Sequence, residues 1–295
     1  MAGHEIIIQG SSYQIDLLQK YNEDSSVPRL VIISYLPNKE AQRILQTALR
    51  AIEVFTPGKK EVWVIDNASP DEAVRWLQKQ ENINIVLNKT VPVLPWGFLR
   101  RLPYFKKRMS SGSFANAVGL EIASKLIDPN SKYFMSLHMD VMPTRIGWLS
   151  FMLSKLNDRV KAAGVRLDKA RSPEGVLHIL GCLFDWQLFQ QLNVSFLPAL
   201  PEFDVGDKIT TEFRAAGYGV YACPNTIWNP RLADDLSASS PFKNFNVDRS
   251  FDDEGDVIFL HLGRGIKKSS SNRSSSYKVD AEKWIEFGEQ LLKDG

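Results

Sequence analysis

The sequence predicts an α/β protein in which helices flank a mostly parallel sheet. Short apolar segments rich in β-branched residues, typical of buried strands, occur at 29–35, 61–65, 83–87 and 133–137. Segments with apolar residues at helical spacing separate them, at 40–55, 71–80 and 114–127. Strands joined by single helices pair in parallel, because the helix returns the chain to the same end of the sheet.

The second half of the chain predicts further elements of both kinds. Strands are expected at 159–167, 176–183, 221–224 and 257–262. Helices are expected at 148–157, 186–192, 207–216 and 281–292. No internal repeat or linker interrupts this order, so one domain is predicted over residues 1–295.

Composition and charge limit the classes of function. The chain has 295 residues, of which 44% are hydrophobic and 24% charged, as in ordinary globular proteins. A net charge of +2 gives no reason to expect a nucleic-acid partner. No signal peptide or membrane-spanning run is recognised, so a cytoplasmic location is expected. Cys182 and Cys223 have no metal-ligand spacing and are expected to be buried thiols.

The segment 91–113 interrupts the alternation of strands and helices. It interleaves three prolines with aromatic residues and with arginines and lysines, and it is too long for an ordinary connection. Such a segment is able to bind an anionic acceptor, to stack on a sugar or to rest on a membrane surface. A solvated loop anchored by its aromatic residues is an equal alternative.

Polar residues follow two of the predicted central strands. Asp66 follows the strand at 61–65, and His138 and Asp140 follow the strand at 133–137. Ligands of such sheets bind beyond the carboxyl ends of the strands. A carboxylate there is suited to hold a divalent cation on a phosphate, which makes this edge the candidate site.

Five segments occur in an order that resembles the family 2 glycosyltransferases of the GT-A (Rossmann-like) fold. They are VIDNASPD at 64–71, NAVG at 116–119, HMD at 138–140, a Gly-Asp to Gly-Tyr segment at 206–218, and HLG at 261–263. The resemblance covers about 29–263 and implies a mixed, mostly parallel sheet flanked by helices. It departs from the family at His138, where an Asp is commoner.

The resemblance implies an inverting, metal-dependent glycosyltransferase. The donor would be a nucleotide-diphosphate sugar, with UDP- or dTDP-sugars favoured, and the acceptor a hydroxyl of a saccharide, glycolipid or glycoprotein. The nucleotide-binding half is expected at about 29–143, the acceptor-binding half at about 144–263, and a C-terminal mobile loop and helix at 264–295. The enzyme would contribute to polysaccharide biosynthesis, with peripheral contact at the inner membrane face through 91–113.

The resemblance also implies roles for individual residues. Asp140 and His261 would hold Mn²⁺ or Mg²⁺, and Asp207, with Asp204 second, would be the catalytic base. The nucleotide-binding residues would be Ser34, Tyr35, Asp66, Asn67, Ser69, Asn116, His138 and Met139.

Structural alternatives exist for several of these residues. Asp66 with Asn67 suits a simple turn or a helix cap, Asp140 the cap of the helix near Trp148, and Asp204 or Asp207 the cap of the helix that follows. His138 is expected to ligate the metal, to contact phosphate or to lie behind the site, and His178 to be a core residue. The rival functions are a catalytically inactive sugar-nucleotide-binding or partner-binding relative and a nucleotidyltransferase. The latter normally has a glycine-rich basic loop after the first strand, where this chain has SYLPNKE.

Overall fold

The computed structural model describes residues 2–93, 111–166, 173–199, 202–269 and 279–294. Its strands are β1 (Ala2–Ile8), β2 (Ser11–Leu18), β3 (Arg29–Ser34), β4 (Glu61–Asn67), β5 (Asn84–Asn88), β6 (Tyr133–His138), β7 (Val141–Pro143), β8 (Val160–Arg166), β9 (Leu177–Asp185), β10 (Gly219–Cys223), β11 (Asp248–Phe251) and β12 (Val257–His261). Its α-helices are α1 (Lys39–Phe55), α2 (Asp71–Gln78), α3 (Ser111–Leu126), α4 (Trp148–Ser154), α5 (Trp186–Gln191), α6 (Asp207–Ala215), α7 (Gly265–Lys268) and α8 (Ala281–Asp294). A 3₁₀ turn covers Pro230–Ala233.

A mixed sheet forms the centre of the described chain. Its strand order is β1-β2-β5-β4-β3-β6-β9-β8-β10, and β3, β4, β5 and β6 pair in parallel. All of its strands except β2 and β9 run in the same direction. The predicted mixed, mostly parallel sheet is therefore confirmed. A smaller antiparallel sheet, β11-β12-β7, continues from the end of β6.

Helices cover both faces of the large sheet. One core cluster lies beneath α1, α2, α4 and α8 and includes the small sheet, whereas α3, α5 and α6 cover the other. The sequence dictates α1 locally: the Asn38 side chain accepts a hydrogen bond from the Ala41 N–H at 2.9 Å, and Ile44, Leu45 and Ile52 are buried at helical spacing. Because the helices pack on the two faces of the sheet, the candidate site lies at the carboxyl edge of the central strands.

The N-terminal hairpin of β1 and β2 was absent from the sequence prediction. Gln9 and Gly10 both have positive φ, 49° and 78°, and form the tight turn. Ile6, Ile8 and Ile15 are buried while Ile7 is 67% exposed, which is the alternation of a half-covered strand. β7 and β11 were also missed, because three- and four-residue strands are too short to show a pattern.

Two predicted segments lie largely outside the described residues. Of the predicted insertion at 91–113, residues 94–110 are outside, and Ser111 already begins α3. Of the predicted C-terminal mobile loop and helix at 264–295, residues 265–268 form the helix α7, 281–294 form α8, and 270–278 are outside. Among the helices that the structure describes, none combines the length and hydrophobicity needed to cross a bilayer. The division into nucleotide- and acceptor-binding halves stays a prediction.

Candidate functional site

The four central strands bring their polar ends to one edge of the sheet. The register pairs Ser34 with Asp66, Asn67 with Asn88, and Ile33 with His138. β4 continues two residues beyond its predicted end, so Asp66 belongs to the strand. Most of the residues singled out in the sequence therefore lie along a common edge.

Asp66 is buried and holds two loops together. Its Oδ1 accepts hydrogen bonds from the hydroxyls of Ser34 (3.1 Å) and Ser69 (2.5 Å), and its Oδ2 accepts one from the Ser69 N–H at 2.9 Å. The Ser69 hydroxyl accepts in turn from the Leu36 N–H at 2.8 Å. Burial raises the pKa of Asp66, against these hydrogen bonds. The turn role that the sequence offered as an alternative is present, and contact with a nucleotide stays a prediction.

The asparagines at this edge position α3 against the sheet. Asn88 donates to Oδ1 of Asn67 at 3.0 Å, and Asn67 donates to the Ala115 carbonyl at 2.8 Å. A Cβ at Gly119 would lie 2.6 Å from Cγ2 of Ile33, so this close approach requires glycine. Packing thus explains Gly119 of the NAVG segment, whereas the nucleotide contact of Asn116 stays a prediction.

Tyr35 and Met139 point in different directions. The Tyr35 side chain is 41% exposed directly after β3, where it is accessible to a ligand. The Met139 side chain packs in the core beneath α1, so only its backbone faces the site. The predicted nucleotide contact of Met139 is therefore restricted to main-chain atoms.

His138, Asp140 and His261 form the centre of the site. One potential ligand atom from each lies within 4.8 Å of the others. His261 Nε2 is 3.5 Å from Asp140 Oδ1, and His261 Nδ1 is 3.0 Å from Oδ2 of Asp248 in β11. Oδ2 of Asp140 accepts the Gly265 N–H at 2.9 Å. Residues from β12 and α7 thus contact the Asp140 carboxylate directly, and Asp248 of β11 contacts it only through His261.

The charges of this cluster depend on one another. Burial opposes charge on His261, but the Asp140 and Asp248 carboxylates outweigh it and raise its pKa to about 9. Burial would also raise the pKa of Asp140, but His261, His138 and the Gly265 N–H lower it well below its usual range. Burial and the nearby charge of His261 lower the pKa of His138 to about 4. At pH 7 the site therefore contains an ionised Asp140, a protonated His261 and a neutral His138.

The structure corrects two structural interpretations of this cluster. Asp140 does not cap α4, because Gly147 precedes that helix and no side chain caps it. His178 is half-buried rather than a core residue: its ring centroid is 5.3 Å from that of His138, and its Nδ1 accepts the Leu180 N–H at 3.1 Å. His138 is in direct contact with Asn116, whose amide lies 3.2 Å from Nε2.

Sequence reasoning missed Asp248 and Gly265. The register of β11 and β12 places Asp248 opposite His261, and no local pattern indicates a pairing with so short a strand. Gly265 directly follows the predicted HLG segment and Arg264. A Cβ there would lie 2.9 Å from Oδ2 of Asp140, so glycine allows α7 to close on the carboxylate.

Asp204 and Asp207 lie at the start of α6, beside β9. Gly206 has a φ of 79° and precedes the helix without a side-chain cap, so the capping alternative is wrong for both aspartates. Oδ2 of the fully buried Asp207 accepts the Asp204 N–H at 2.8 Å and closes the turn. Asp204 is half-buried, and its Oδ1 accepts the Val205 N–H at 2.8 Å.

The central residues fit a divalent cation by their chemistry. Asp140 offers a carboxylate oxygen and the two histidines offer ring nitrogens, all within 4.8 Å. His261 has a carboxylate on its other nitrogen, the arrangement that orients metal-binding histidines. The chain thus contains both a candidate ligand set and the residue that orients one ligand.

Comparisons with known proteins identify the fold. No family model matches the chain, and no curated protein matches its sequence. The galactosyltransferase LgtC, solved with donor and acceptor sugar analogs, aligns with a TM-score of 0.50 at 11% identity over 89% of this chain and 96% of its own. An active-site variant of LgtC aligns with the same TM-score at 13% identity, over 89% of this chain and 95% of its own.

A more distant likeness involves a longer protein. The mannosyltransferase PcManGT from Pyrobaculum calidifontis, solved with GDP-Man and Mn²⁺, aligns at 17% identity and a TM-score of 0.47 over 67% of this chain. The chain spans about half of that protein, 54% of its length. The likeness to LgtC confirms the predicted GT-A fold.

Proposed function

We propose that this protein is an inverting, metal-dependent glycosyltransferase. It transfers a sugar from a nucleotide-diphosphate donor to a hydroxyl of a saccharide, glycolipid or glycoprotein. The observation that carries the proposal is the Asp140–His261 pair, which lies at the carboxyl edge of a GT-A sheet with Asp248 behind it. Ligands of such sheets bind at this edge, which supports placing the donor pyrophosphate there.

Asp140 and His261 would hold the cation, with His138 beside them. When bound, Mn²⁺ or Mg²⁺ supplies a Lewis acid that stabilises the charge of the departing nucleoside diphosphate. Asp248 orients the His261 ring so that Nε2 faces Asp140. Gly265 fixes Asp140 by donating its N–H to Oδ2. These contacts support a cation site prepared by the fold.

The nucleotide would lie along the ends of β3 and β4. Tyr35 is exposed there and offers an aromatic face to the base, which we propose to be uracil or thymine. Asp66, Ser34 and Ser69 shape the loop beneath it through their mutual hydrogen bonds. Asn67 and Asn116 bring α3 to the same edge, where Asn116 contacts His138.

The base that deprotonates the acceptor hydroxyl would come from the turn before α6. The sequence favoured Asp207, but its full burial and its bond to the Asp204 N–H suit a role in holding the turn. Asp204 is half-buried and is the better candidate for contact with an acceptor. We expect Asp204→Asn to lower kcat by about 10²–10⁴-fold with little change in donor affinity.

The cellular role extends the proposal. The acceptor would be part of a cell-surface polysaccharide or glycoconjugate, and the protein would act on the cytoplasmic side. The segment 91–113, whose last three residues begin α3, is the proposed contact with the acceptor or with the membrane.

Release of nucleoside diphosphate from a panel of UDP-, dTDP- and GDP-sugars with Mn²⁺ tests the proposal. We expect release from at least one donor and a loss of at least about 100-fold in Asp140→Asn, because charge stabilisation at the leaving group is removed. Asp256→Asn is the matched control, since this exposed carboxylate belongs to a separate acidic group with Asp252 and Glu254. Control activity should equal that of the unaltered chain.

The other outcomes separate the rival functions. Donor binding without product, unchanged in Asp140→Asn, would indicate a catalytically inactive relative. Formation of pyrophosphate from a nucleoside triphosphate and a sugar phosphate would indicate a nucleotidyltransferase. Either outcome would reject the proposed transferase.

A further inference from the structure

We infer that the indole ring of Trp228 forms the stacking surface for a sugar ring of the acceptor. This inference rests on the proposed transferase and narrows its acceptor to a molecule that presents a pyranose ring at its reacting end. Trp228 is 46% exposed, whereas the other tryptophans of the described chain are buried or half-buried. Because a single exposed apolar side chain is ordinary, the position and the support of this ring carry the inference.

Trp228 lies at the same edge of the sheet as the candidate cation site. Its ring centre is 4.4 Å from the guanidinium carbon of Arg166, the last residue of β8. β8 runs in the same direction as β6, so Arg166 and His138 both end their strands at the carboxyl edge. Only β9 separates the two strands, which places them about 10 Å apart.

The strand order separates a donor side from an acceptor side. Tyr35, the proposed contact of the nucleotide base, follows β3 on one side of β6, whereas β9 and β8 lie on the other side. The Thr210 hydroxyl accepts the Leu177 N–H at 2.9 Å, so α6 begins against the start of β9. The turn that carries Asp204 therefore lies beside the strand between β6 and β8. An acceptor resting on Trp228 would approach from the side that the nucleotide leaves open.

Neighbouring side chains hold Trp228 in place. The fully buried Asn225 accepts the Trp228 N–H through Oδ1 at 3.0 Å and donates from Nδ2 to the Cys223 carbonyl at 3.0 Å. Arg166 covers one face of the indole, and its Nη2 lies 3.3 Å from Oε1 of Glu174. A ring that is fixed before binding loses little conformational entropy when a ligand covers it. Asn225 and Arg166 are therefore positioning residues.

The chemistry of the indole suits a sugar ring. The faces of a pyranose carry C–H groups, and its rim carries hydroxyls. An indole offers a broad apolar surface with a polar N–H at its edge, so it can cover the C–H groups while the hydroxyls stay in water. A hydroxyl on a flexible peptide or lipid chain has no such face to cover. The exposed ring of Trp228 therefore favours an acceptor that ends in a saccharide.

The test is binding of methyl pyranosides to the full chain, followed by saturation-transfer NMR and calorimetry. The probes are the methyl glycosides of glucose, galactose, mannose and N-acetylglucosamine, with the open-chain polyol sorbitol as the probe without a ring. We expect at least one pyranoside to bind and sorbitol not to bind. Trp228→Ala should weaken pyranoside binding at least about tenfold, whereas Trp228→Phe, which keeps an aromatic face, should stay within about threefold. Affinity for nucleoside diphosphate should not change in either variant.

The matched control is Val54→Ala, because Val54 is also exposed, at 39%, but lies near the end of α1, at the opposite edge of the sheet. It should leave every dissociation constant unchanged. Binding of no pyranoside, or of sorbitol as tightly as a pyranoside, would overturn the inference. So would equal pyranoside affinity in a Trp228→Ala chain that circular dichroism shows to be folded. If that variant does not fold, a loss of binding in a folded Trp228→Phe chain would likewise count against an aromatic stacking surface.

A kinetic measurement distinguishes failure of this inference from failure of the proposed function. With a pyranoside as acceptor, Trp228→Ala should raise the acceptor KM at least about tenfold and leave the donor KM unchanged. A chain that transfers sugar with the same acceptor KM in Trp228→Ala would remain a transferase and lose the stacking surface. A chain that binds pyranosides through Trp228 but processes no donor would keep the stacking surface and lose the transferase.

Discussion

Gly265→Ala perturbs the contact by which α7 closes on the candidate metal ligand. An alanine Cβ at this position would lie 2.9 Å from Oδ2, 3.0 Å from Cβ and 3.2 Å from Cγ of Asp140. Oδ2 is also the atom that accepts the Gly265 N–H at 2.9 Å. The carboxylate and the helix start must therefore move apart, and the hydrogen bond is lengthened or lost.

The expected change in the free energy of unfolding follows from two costs and one smaller gain. Overpacking of a buried contact costs about 1–3 kcal/mol, and loss of a hydrogen bond to a charged group costs a similar amount. A shift of the carboxylate relieves the overpacking but breaks the hydrogen bond, so these two costs do not add fully. Alanine gains about 0.5–1 kcal/mol over glycine within a helix. The expected result is a fall of about 1–3 kcal/mol in the free energy of unfolding.

Urea denaturation of the metal-free chain measures this fall, and a Mn²⁺ titration measures displacement of Asp140. We expect Mn²⁺ affinity to fall together with stability. Gly58→Ala is the matched control, because a Cβ at Gly58 meets nothing within 4 Å, and it should stay within about 0.5 kcal/mol of the unaltered chain. A Gly265→Ala chain as stable as the control and with unchanged Mn²⁺ affinity would refute the packing of α7 on Asp140.

Three further predictions concern protonation and packing around the site. Against the opposing effect of burial, the neighbouring carboxylates raise the pKa of His261 to about 9, so at pH 7 a cation must displace its proton. Mn²⁺ affinity should therefore rise about tenfold per pH unit from pH 7 towards 9, with about one proton released in calorimetry, and a pH-independent affinity would contradict this. Gly119→Ala should lower the free energy of unfolding by about 1–3 kcal/mol in urea denaturation, because its Cβ meets Ile33, whereas an unchanged midpoint would place α3 farther from the sheet. Asp66→Asn should lower the free energy of unfolding by about 1–3 kcal/mol in the same assay. Both carboxylate oxygens of Asp66 accept hydrogen bonds from Ser34 and Ser69, whereas the asparagine amide has one oxygen. A variant as stable as the unaltered chain would show that these hydrogen bonds do not stabilise the loop.

The central strands and most helices could be predicted because their patterns are local. The apolar run of β3 and the helical spacing in α1 are properties of a few consecutive residues. The positions of Asp66 and His138 at strand ends follow directly, and parallel pairing places those ends at one edge. The structure therefore confirms that these strand ends share one edge, whereas ligand binding there stays a prediction.

The outer part of the site could not be predicted, because it depends on pairings between distant segments. Asp248 reaches His261 only through the register of two short antiparallel strands. His178 lies in an apolar segment, so the sequence favours a buried side chain. The pairing of β8 with β9 shifts register at Val165, the residue opposite His178, and this irregularity interrupts the alternation of buried and exposed side chains. The antiparallel direction of β9 between β6 and β8 is likewise set by pairing with distant segments and has no local pattern in the sequence.

Anomalous diffraction from crystals grown with Mn²⁺ and a nucleoside diphosphate would locate the cation relative to Asp140. We expect a manganese peak at bonding distance from Asp140 and His261, with the diphosphate on its open side beside the ends of β3 and β4. A peak among Asp252, Glu254 and Asp256, which form the other acidic group found within the described residues, would contradict it. So would a diphosphate bound at this edge of the sheet without any metal peak at Asp140.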